Sequence, residues 1–129
     1  MAHILLVDDD PAVSAREART IEGAGHTVSL ADSPAAAVEA MKVCPPDLVV
    51  LEAIFAGKFT GVALARRLAE TDPDLPLIML TRADERLTTE QLDLEDRDGG
   101  WIPVDRYLAK PVMREVLTAE IQRLLGEAG

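Results

Sequence analysis

The sequence has one cysteine, few aromatic residues and no long apolar run. A single cysteine, Cys44, cannot form an internal disulfide, which is typical of a reducing compartment, and we interpret it as a small apolar residue near a helix end. Aromatic residues make up only 3% of the chain, so the core must consist mainly of Leu, Val, Ile and Ala. No apolar run reaches the roughly 18 residues that a membrane-spanning helix needs. The chain starts without a basic region and turns acidic at once, so we expect no signal peptide.

Positive charge is also scarce, because 13 Lys and Arg residues face 23 Asp and Glu residues. The formal net charge is −10 and the pI is about 4.5. Such a surface argues against direct binding to nucleic acid or to anionic membranes, whereas it allows a cation site and basic protein partners. We therefore expect a cytoplasmic protein that contacts neither nucleic acid nor a membrane directly.

Short apolar segments alternate with helical patterns along the chain. Strands are predicted over residues 3–7, 26–31, 48–51, 75–81 and 106–109. Helices are predicted over 11–25, from 34 to the prolines at 45 and 46, from 60 to about 73, more weakly over 89–96, and from 111 onward. Asp10 and Ser33 are the predicted N-caps of the first two helices. The predicted inner stripe of the last helix consists of Met113, Leu117, Ile121 and Leu124. This alternation predicts an α/β fold: a doubly wound, five-stranded parallel sheet of (βα)5, flavodoxin-like architecture, in a single domain over residues 1–129.

Polar residues follow the predicted strands at the edge where such sheets carry their sites. Asp8 and Asp9 follow the first strand, Glu52 the third, Thr81 the fourth and Lys110 the fifth. Clustered carboxylates repel one another unless a cation lies among them, and their hard oxygens suit Mg²⁺. Lysine and threonine are natural partners of phosphoryl oxygens. The pattern therefore indicates a metal-dependent phosphoryl-transfer site.

These residues also carry a family resemblance. Asp8-Asp9 after ILLV, the strand DLVVL ending at Glu52, Thr81 after LPLIML, and Lys110-Pro111 in YLAKP occur in this order. Over residues 3–125 the chain resembles the receiver domain of two-component response regulators. Each motif alone is weak, whereas the ordered set at the correct strand ends is specific.

The resemblance implies a Mg²⁺ site and a set of partners. Asp9 would bind the metal directly, Asp8 would help through water, and the backbone carbonyl of Ile54 would be a further ligand, with Glu52 at the centre of the site. The partner would be a histidine kinase or a downstream effector, met through the last helix-strand-helix face. A homodimer is left open.

Glu52 departs from the family, whose phosphoacceptor is aspartate. The extra methylene places the carboxylate about 1.5 Å further out, and a displacement of about 1 Å can cost on the order of 100-fold in rate. Its oxygens would instead reach Lys110, Thr81 or the metal, where the phosphoryl oxygens of a phosphorylated receiver lie. A carboxylate carries about one charge against nearly two for a phosphoryl group, so the mimicry is partial. We therefore predict a phosphorylation-independent receiver, or pseudo-receiver, without enzymatic turnover.

The resemblance also assigns switch and rim positions. Thr81 would bond the phosphoryl group and slide toward it in the active state, and Tyr107 matches the aromatic residue that swings inward on activation. Lys110 would pair with acid and phosphoryl oxygens. Arg82 stands where the family usually has a small residue, so it would pair with Glu52 or cover the phosphodonor entrance.

Two other functions stay open. The chain could be a receiver that is still phosphorylated by a histidine kinase. It could also be a small phosphohydrolase similar to the haloacid dehalogenase family, because Asp8-x-Asp10 fits the opening motif of that family and Thr81 and Lys110 fit its later motifs in kind. Against the second, Pro11 stands where threonine or valine is expected.

Two residues have no assigned role. Glu17 interrupts the apolar stripe of the first helix, so either the helix rotates to use Ala18 and Ile21, or Glu17 has a partner. Trp101 is interpreted either as loop packing or, if exposed beside Ile102, as a contact for a partner.

Overall fold

The computed structural model describes residues 2–53, 55, 60–82 and 104–126, with only the backbone at residues 81, 82 and 109. The predicted helix over 89–96, Ile54 and Trp101 lie outside the described residues. The elements in chain order are β1 His3–Val7, α1 Pro11–Gly23, β2 Thr27–Ala31, α2 Pro34–Val43, β3 Leu48–Glu52, α3 Thr60–Thr71, β4 Leu77–Arg82, β5 Arg106–Lys110 and α4 Arg114–Leu125.

The five strands form one sheet in the order β2-β1-β3-β4-β5, and every neighbouring pair is parallel. This confirms the predicted doubly wound α/β fold. From the central pair β1 and β3, the chain builds outward to β2 on one side and to β4 and β5 on the other. The carboxyl ends of β1 and β3 therefore flank the switch point, which is where open parallel sheets bind ligands.

The sheet is covered on both faces, and alternate strand residues belong to opposite core clusters. The cluster on the α2 and α3 side includes Leu5, Val7, Val49, Leu51, Ala37, Val62 and Leu64. The cluster on the α1 and α4 side includes Ile4, Leu6, Val50, Leu108, Ala18, Ile21, Leu117 and Ile121. All five residues of β3 are buried, as the continuous apolar run of a central parallel strand predicts.

The starts of the first two helices are capped as predicted. The Asp10 carboxylate accepts hydrogen bonds from the backbone N–H groups of Ala12 at 3.0 Å and Val13 at 3.3 Å. The Ser33 hydroxyl accepts from the N–H of Ala36 at 3.1 Å. These contacts satisfy backbone donors that have no partner inside the helix.

The predicted start of the last helix is wrong. α4 begins at Arg114, with Met113 as its N-cap residue in an extended conformation. Met113 is 66% exposed and does not belong to the inner stripe, whereas Leu117 and Ile121 are buried as predicted. Pro111 lies in the turn after β5, and proline is as compatible with a turn as with a first helical position.

The other predicted boundaries differ from the observed ones by at most two residues, which is the usual uncertainty of element ends. Cys44 lies at the C-cap of α2, as predicted, and is exposed. In the part of the chain that the structure describes, no helix has the length and apolar character needed to cross a membrane.

Candidate functional site

Strand register brings the predicted site residues to one edge of the sheet. Val7 lies opposite Leu51, so Asp8 and Glu52 follow at the same level of β1 and β3. In the same way, Glu52 lies opposite Leu80 of β4, and the backbone of Arg82 lies opposite Lys110 of β5. Thr81 is therefore at this edge as predicted; its side chain and that of Arg82 lie outside the described residues, so the roles assigned to them stay predictions.

Lys110 joins the two acidic strand ends. Its ammonium group donates one hydrogen bond to Asp8 Oδ2 and another to Glu52 Oε2. The three residues are almost fully enclosed, with exposed fractions of 3% for Asp8, 1% for Glu52 and 6% for Lys110. Lys110 thus pairs with both acids, and Glu52 takes Lys110 as one of its partners. We call these three residues the acid–lysine bridge.

Opposing effects act on the charge of Lys110. Burial by itself lowers the pKa of the ammonium group, because a low-dielectric surrounding disfavours charge. The hydrogen bonds to Asp8 and Glu52, together with their negative charge, outweigh burial and raise the pKa above its ordinary value. Lys110 therefore stays charged at neutral pH and offsets one of the two negative charges that it contacts.

The loop after β1 fixes Asp8 from its other side. Asp8 Oδ1 accepts a hydrogen bond from the backbone N–H of Asp10 at 2.8 Å, and Asp10 in turn caps α1. The backbone N–H of Asp8 donates to the carbonyl of Ala31 at the end of β2, at 3.0 Å. The side chain of Asp9 is exposed beside them. Asp8 is thus the inner acid of the pair, and Asp9 is the one open to solvent.

Gly61 supports the end of β3 from the α3 side, a role that the sequence analysis missed. A Cβ atom at Gly61 would lie 1.8 Å from the carbonyl oxygen of Glu52 and 2.7 Å from that of Ala53. The N–H of Gly61 donates to the Ala53 carbonyl at 3.1 Å. Only glycine allows such an approach of two backbones. The signal in the sequence was a glycine one residue into a predicted helix, at a position where no turn requires it.

Glu17 is the second residue whose part the sequence left undecided. It is 2% exposed on the inner face of α1, together with Ser14, Ala18 and Ile21. Among the described residues, neither of its carboxylate oxygens has a hydrogen-bond partner. The helix thus does use Ala18 and Ile21, as one alternative expected, yet the carboxyl of Glu17 stays inside with them.

The surroundings of Glu17 favour its neutral form. Burial raises the pKa of its carboxyl to about 7, and the negative charge of Asp8 adds to this, while the positive charge of Lys110 opposes it. A pKa near neutrality in a core position is a large departure for a glutamate. Glu17 is therefore a titratable group within the electrostatic field of the acid–lysine bridge.

The predicted metal ligands are partly engaged. Within the described residues, no group of three or more His, Cys, Asp or Glu side chains is placed to hold a metal ion. Asp8 and Glu52 share the Lys110 ammonium, and Asp9 is exposed. Their carboxylate oxygens have the chemistry that Mg²⁺ prefers. A magnesium ion would therefore have to compete with the Lys110 ammonium.

Exposed apolar side chains occur on the last strand and helix. Tyr107 on β5 is 40% exposed, Met113 before α4 is 66% exposed and Val116 on α4 is 40% exposed. The side chain of Tyr107 is thus partly exposed on β5, an edge strand of the sheet.

Comparison with known proteins decides the family. The family described as "Response regulator receiver domain" matches residues 4–122. The chain belongs to this family. The receiver is 35% identical over 122 residues to the response regulator MprA of Mycobacterium ulcerans, a match that covers 95% of the chain and 49% of that protein. It is 31% identical over 125 residues to the transcriptional regulatory protein AfsQ1 of Streptomyces coelicolor, covering 97% and 52%.

The receiver chain spans about half the length of these curated relatives. Among solved structures, a CheY-like response regulator receiver domain protein from Methanospirillum hungatei aligns with a TM-score of 0.81 at 23% identity, over 98% of this chain and 95% of that one. At that identity the likeness shows the fold alone. Nothing in these comparisons supports the phosphohydrolase alternative.

Proposed function

We propose that this receiver domain works in two-component phosphorelay signalling without being phosphorylated, as a pseudo-receiver that acts through protein–protein contacts and not as an enzyme. One observation carries the proposal: the Glu52 carboxylate binds Lys110 inside the protein.

The position of Glu52 explains why phosphoryl transfer to it would be slow. An acceptor oxygen must attack the phosphorus atom in line, at a distance that the site has prepared in advance. The Glu52 carboxylate is instead hydrogen-bonded to Lys110, and the residue is only 1% exposed. Attack would require the loss of a buried ion pair as well as a shift of the longer side chain.

The Glu52–Lys110 pair also supports the proposal that the carboxyl edge of the sheet partly resembles that of a phosphorylated receiver. By the resemblance, the lysine of a receiver pairs with acid and phosphoryl oxygens, and the longer Glu52 side chain reaches toward the place of the phosphoryl oxygens. Here the Glu52 carboxylate supplies one such oxygen to Lys110. It supplies about one negative charge where a phosphoryl group supplies nearly two, so the imitation is incomplete.

Metal, partners and location complete the proposal. Mg²⁺ would bind weakly through Asp9, Asp8 and the Ile54 carbonyl, because Lys110 holds Asp8 and Glu52.

A histidine kinase or downstream effector would meet the face formed by β5 and α4, whose exposed apolar side chains suit a protein contact. The charge of −10 supports a cytoplasmic protein that does not bind nucleic acid directly.

The experiment is intact-protein mass spectrometry after incubation with Mg²⁺ and acetyl phosphate. It compares the native receiver with Glu52→Asp, and uses Glu52→Gln as a control that keeps the length of the side chain but cannot form an acyl phosphate. We expect a phosphoryl adduct only in Glu52→Asp, because the shorter acid restores the distance that the rest of the site is built for.

Each other outcome has a definite meaning. An adduct on the native chain that is lost in Glu52→Gln would overturn the proposal in favour of a receiver phosphorylated on Glu52. An adduct in none of the three would show that the site is disabled beyond Glu52, with Arg82 at the rim as the first residue to replace.

A further inference from the structure

Among the described residues, three buried carboxyl groups and the Lys110 ammonium group lie toward the same face of the sheet in this receiver. Asp8, Glu52 and Lys110 each follow, by two residues, a strand residue of the core cluster on the α1 and α4 side. Because strand side chains alternate between the two faces, the acid–lysine bridge extends that cluster toward the carboxyl edge. Glu17 is buried on α1, the helix that covers the same face.

Glu17 differs from Asp8 and Glu52 because it does not share in the hydrogen bonds of the Lys110 ammonium group. A lysine ammonium has three N–H donors, and Lys110 gives two of them to Asp8 and Glu52. The Glu17 oxygens have no hydrogen-bond partner among the described residues. An ionised carboxylate without a partner is very costly in an apolar surrounding, whereas a protonated carboxyl costs far less.

The charges that act on Glu17 come from several elements. Lys110 of β5 attracts a negative charge on Glu17, and so does Arg16 on its own helix, whereas Asp8 after β1 and Glu52 of β3 repel it. The side chains of α4 in the same cluster are apolar and add no charge: Leu117, Ile121, Leu124 and Leu125. The ammonium of Lys110 is thus the buried cation that an ionised Glu17 would turn to.

We propose that Glu17 is a positioning residue for Lys110: while protonated it leaves the ammonium group with Glu52, and once ionised it draws the ammonium group away. Loss of the Glu17 proton transfers no other group. It adds one negative charge beside the acid–lysine bridge, so that Glu17 competes with Asp8 and Glu52 for the Lys110 ammonium. The inference deepens the proposed function, since it rests on the Glu52–Lys110 pair as the feature that holds the edge in its active-like form.

The pH range follows from the pKa of Glu17. Its carboxyl has a pKa of about 7 in the folded protein against an ordinary value of 4.5. Below the ordinary value, both the folded and the unfolded protein carry the proton, and burial of Glu17 brings no ionisation penalty. As the pH rises toward the folded value, the unfolded state releases the proton first, so stability is lost across this interval and stays lost above it.

The first measurement is urea unfolding of the native receiver and of Glu17→Leu from pH 5 to pH 8. Leucine fits an apolar helix face, so the variant is expected to fold and to be the more stable of the two at pH 8. The unfolding equilibrium constant of the native protein, divided by that of the variant, should rise on the order of 50-fold over this range. Parallel pH profiles would overturn the proposal, because Glu17 would then not titrate between these limits.

The second measurement follows Lys110 itself by NMR, through the ¹³Cε signal of its side chain between pH 5 and pH 9. In the native protein this signal should move with the midpoint of Glu17, and in Glu17→Leu the step should vanish. Glu17→Gln, which imitates the protonated form, should also lack the step and keep the low-pH signal position. An identical step in all three proteins would overturn the positioning role even if Glu17 titrates. Neither measurement uses a phosphodonor, so their failure is distinct from failure of the mass experiment.

Discussion

Lys110 shows how much the surroundings of a residue decide what its charge does. An ion pair at the surface gains little, because water screens it and both side chains lose freedom. The ammonium of Lys110 is instead enclosed with two carboxylates, and it donates a hydrogen bond to each of them. Removing one member of such a group leaves buried charge without its partner, which costs far more stability than replacing the whole group by apolar residues.

Replacing Lys110 by methionine should therefore destabilise the receiver strongly. We expect a loss of about 3–5 kcal/mol in the free energy of unfolding at pH 7, because Asp8 and Glu52 would stay buried without the Lys110 ammonium. Guanidinium unfolding at pH 7 measures this loss.

The matched control is Lys42→Met. Lys42 pairs with Glu39 at 3.4 Å on the outside of α2, with side-chain exposures of 67% and 73%. Its replacement should cost less than about 1 kcal/mol. Equal effects at the two lysines would show that the acid–lysine bridge contributes no more than a surface pair.

At the scale of elements, the junction of β3 and α3 determines where Glu52 can lie. The first turn of α3 rests on the carbonyl groups of Glu52 and Ala53, with Gly61 at the point of contact. The end of the strand is thereby held by a neighbouring helix as well as by its hydrogen bonds to β4. A change at Gly61 acts on the acid through the backbone and touches none of the charged groups.

Gly61→Ala should be among the most destabilising single-methyl changes in this chain. Its Cβ would lie 1.8 Å from a backbone oxygen, so α3 or the end of β3 must move. We expect a loss of about 2–4 kcal/mol by thermal or urea unfolding.

Gly23→Ala is the control for that change. At Gly23, which ends α1, no atom lies within 4 Å of an added Cβ, and its φ is not in the left-handed region. The substitution should be neutral or should stabilise by up to about 1 kcal/mol. A Gly61→Ala variant as stable as Gly23→Ala would mean that the contact relaxes without cost.

The elements also show what the sequence could predict. Continuous apolar runs such as Leu48–Leu51 identify central parallel strands, and acids directly after them must meet at one edge, so both the fold and the gathering of Asp8, Glu52 and Lys110 were predictable. The burial of the Glu17 side chain was not predictable, because it depends on how α1 is rotated against the sheet. The start of α4 was predicted wrongly, since Pro111 is equally compatible with a turn.

For the whole molecule, the net charge of −10 matters as much as any site. Any cation reduces the mutual repulsion of so many acids, and a divalent cation does so without needing a specific place. Stabilisation by Mg²⁺ alone is therefore weak support for a metal site. The magnesium proposal needs a comparison at equal ionic strength.

That comparison uses 10 mM MgCl₂ against about 30 mM NaCl, which has the same ionic strength. A site whose Kd equals the Mg²⁺ concentration would add only about 0.4 kcal/mol to the stability of the native receiver. The gain should be larger in Glu52→Asp, whose shorter side chain reaches Lys110 less well and leaves Asp8 and the acid at 52 more open to the ion. The melting temperature measures both effects.

Equal melting temperatures in the two salts, for both proteins, would contradict the magnesium proposal. A gain for the native receiver as large as that for Glu52→Asp would show instead that Glu52 does not weaken the site.

β3 is buried along its whole length and pairs with β1 on one side and β4 on the other. Strands in that position open only in motions close to complete unfolding, whereas loops and chain ends open easily and often. Glu52 therefore sits on the slow, stiff part of the receiver. A partner that responds to Glu52 must sense it indirectly, through the residues that cover it, since the carboxylate is buried in the folded protein.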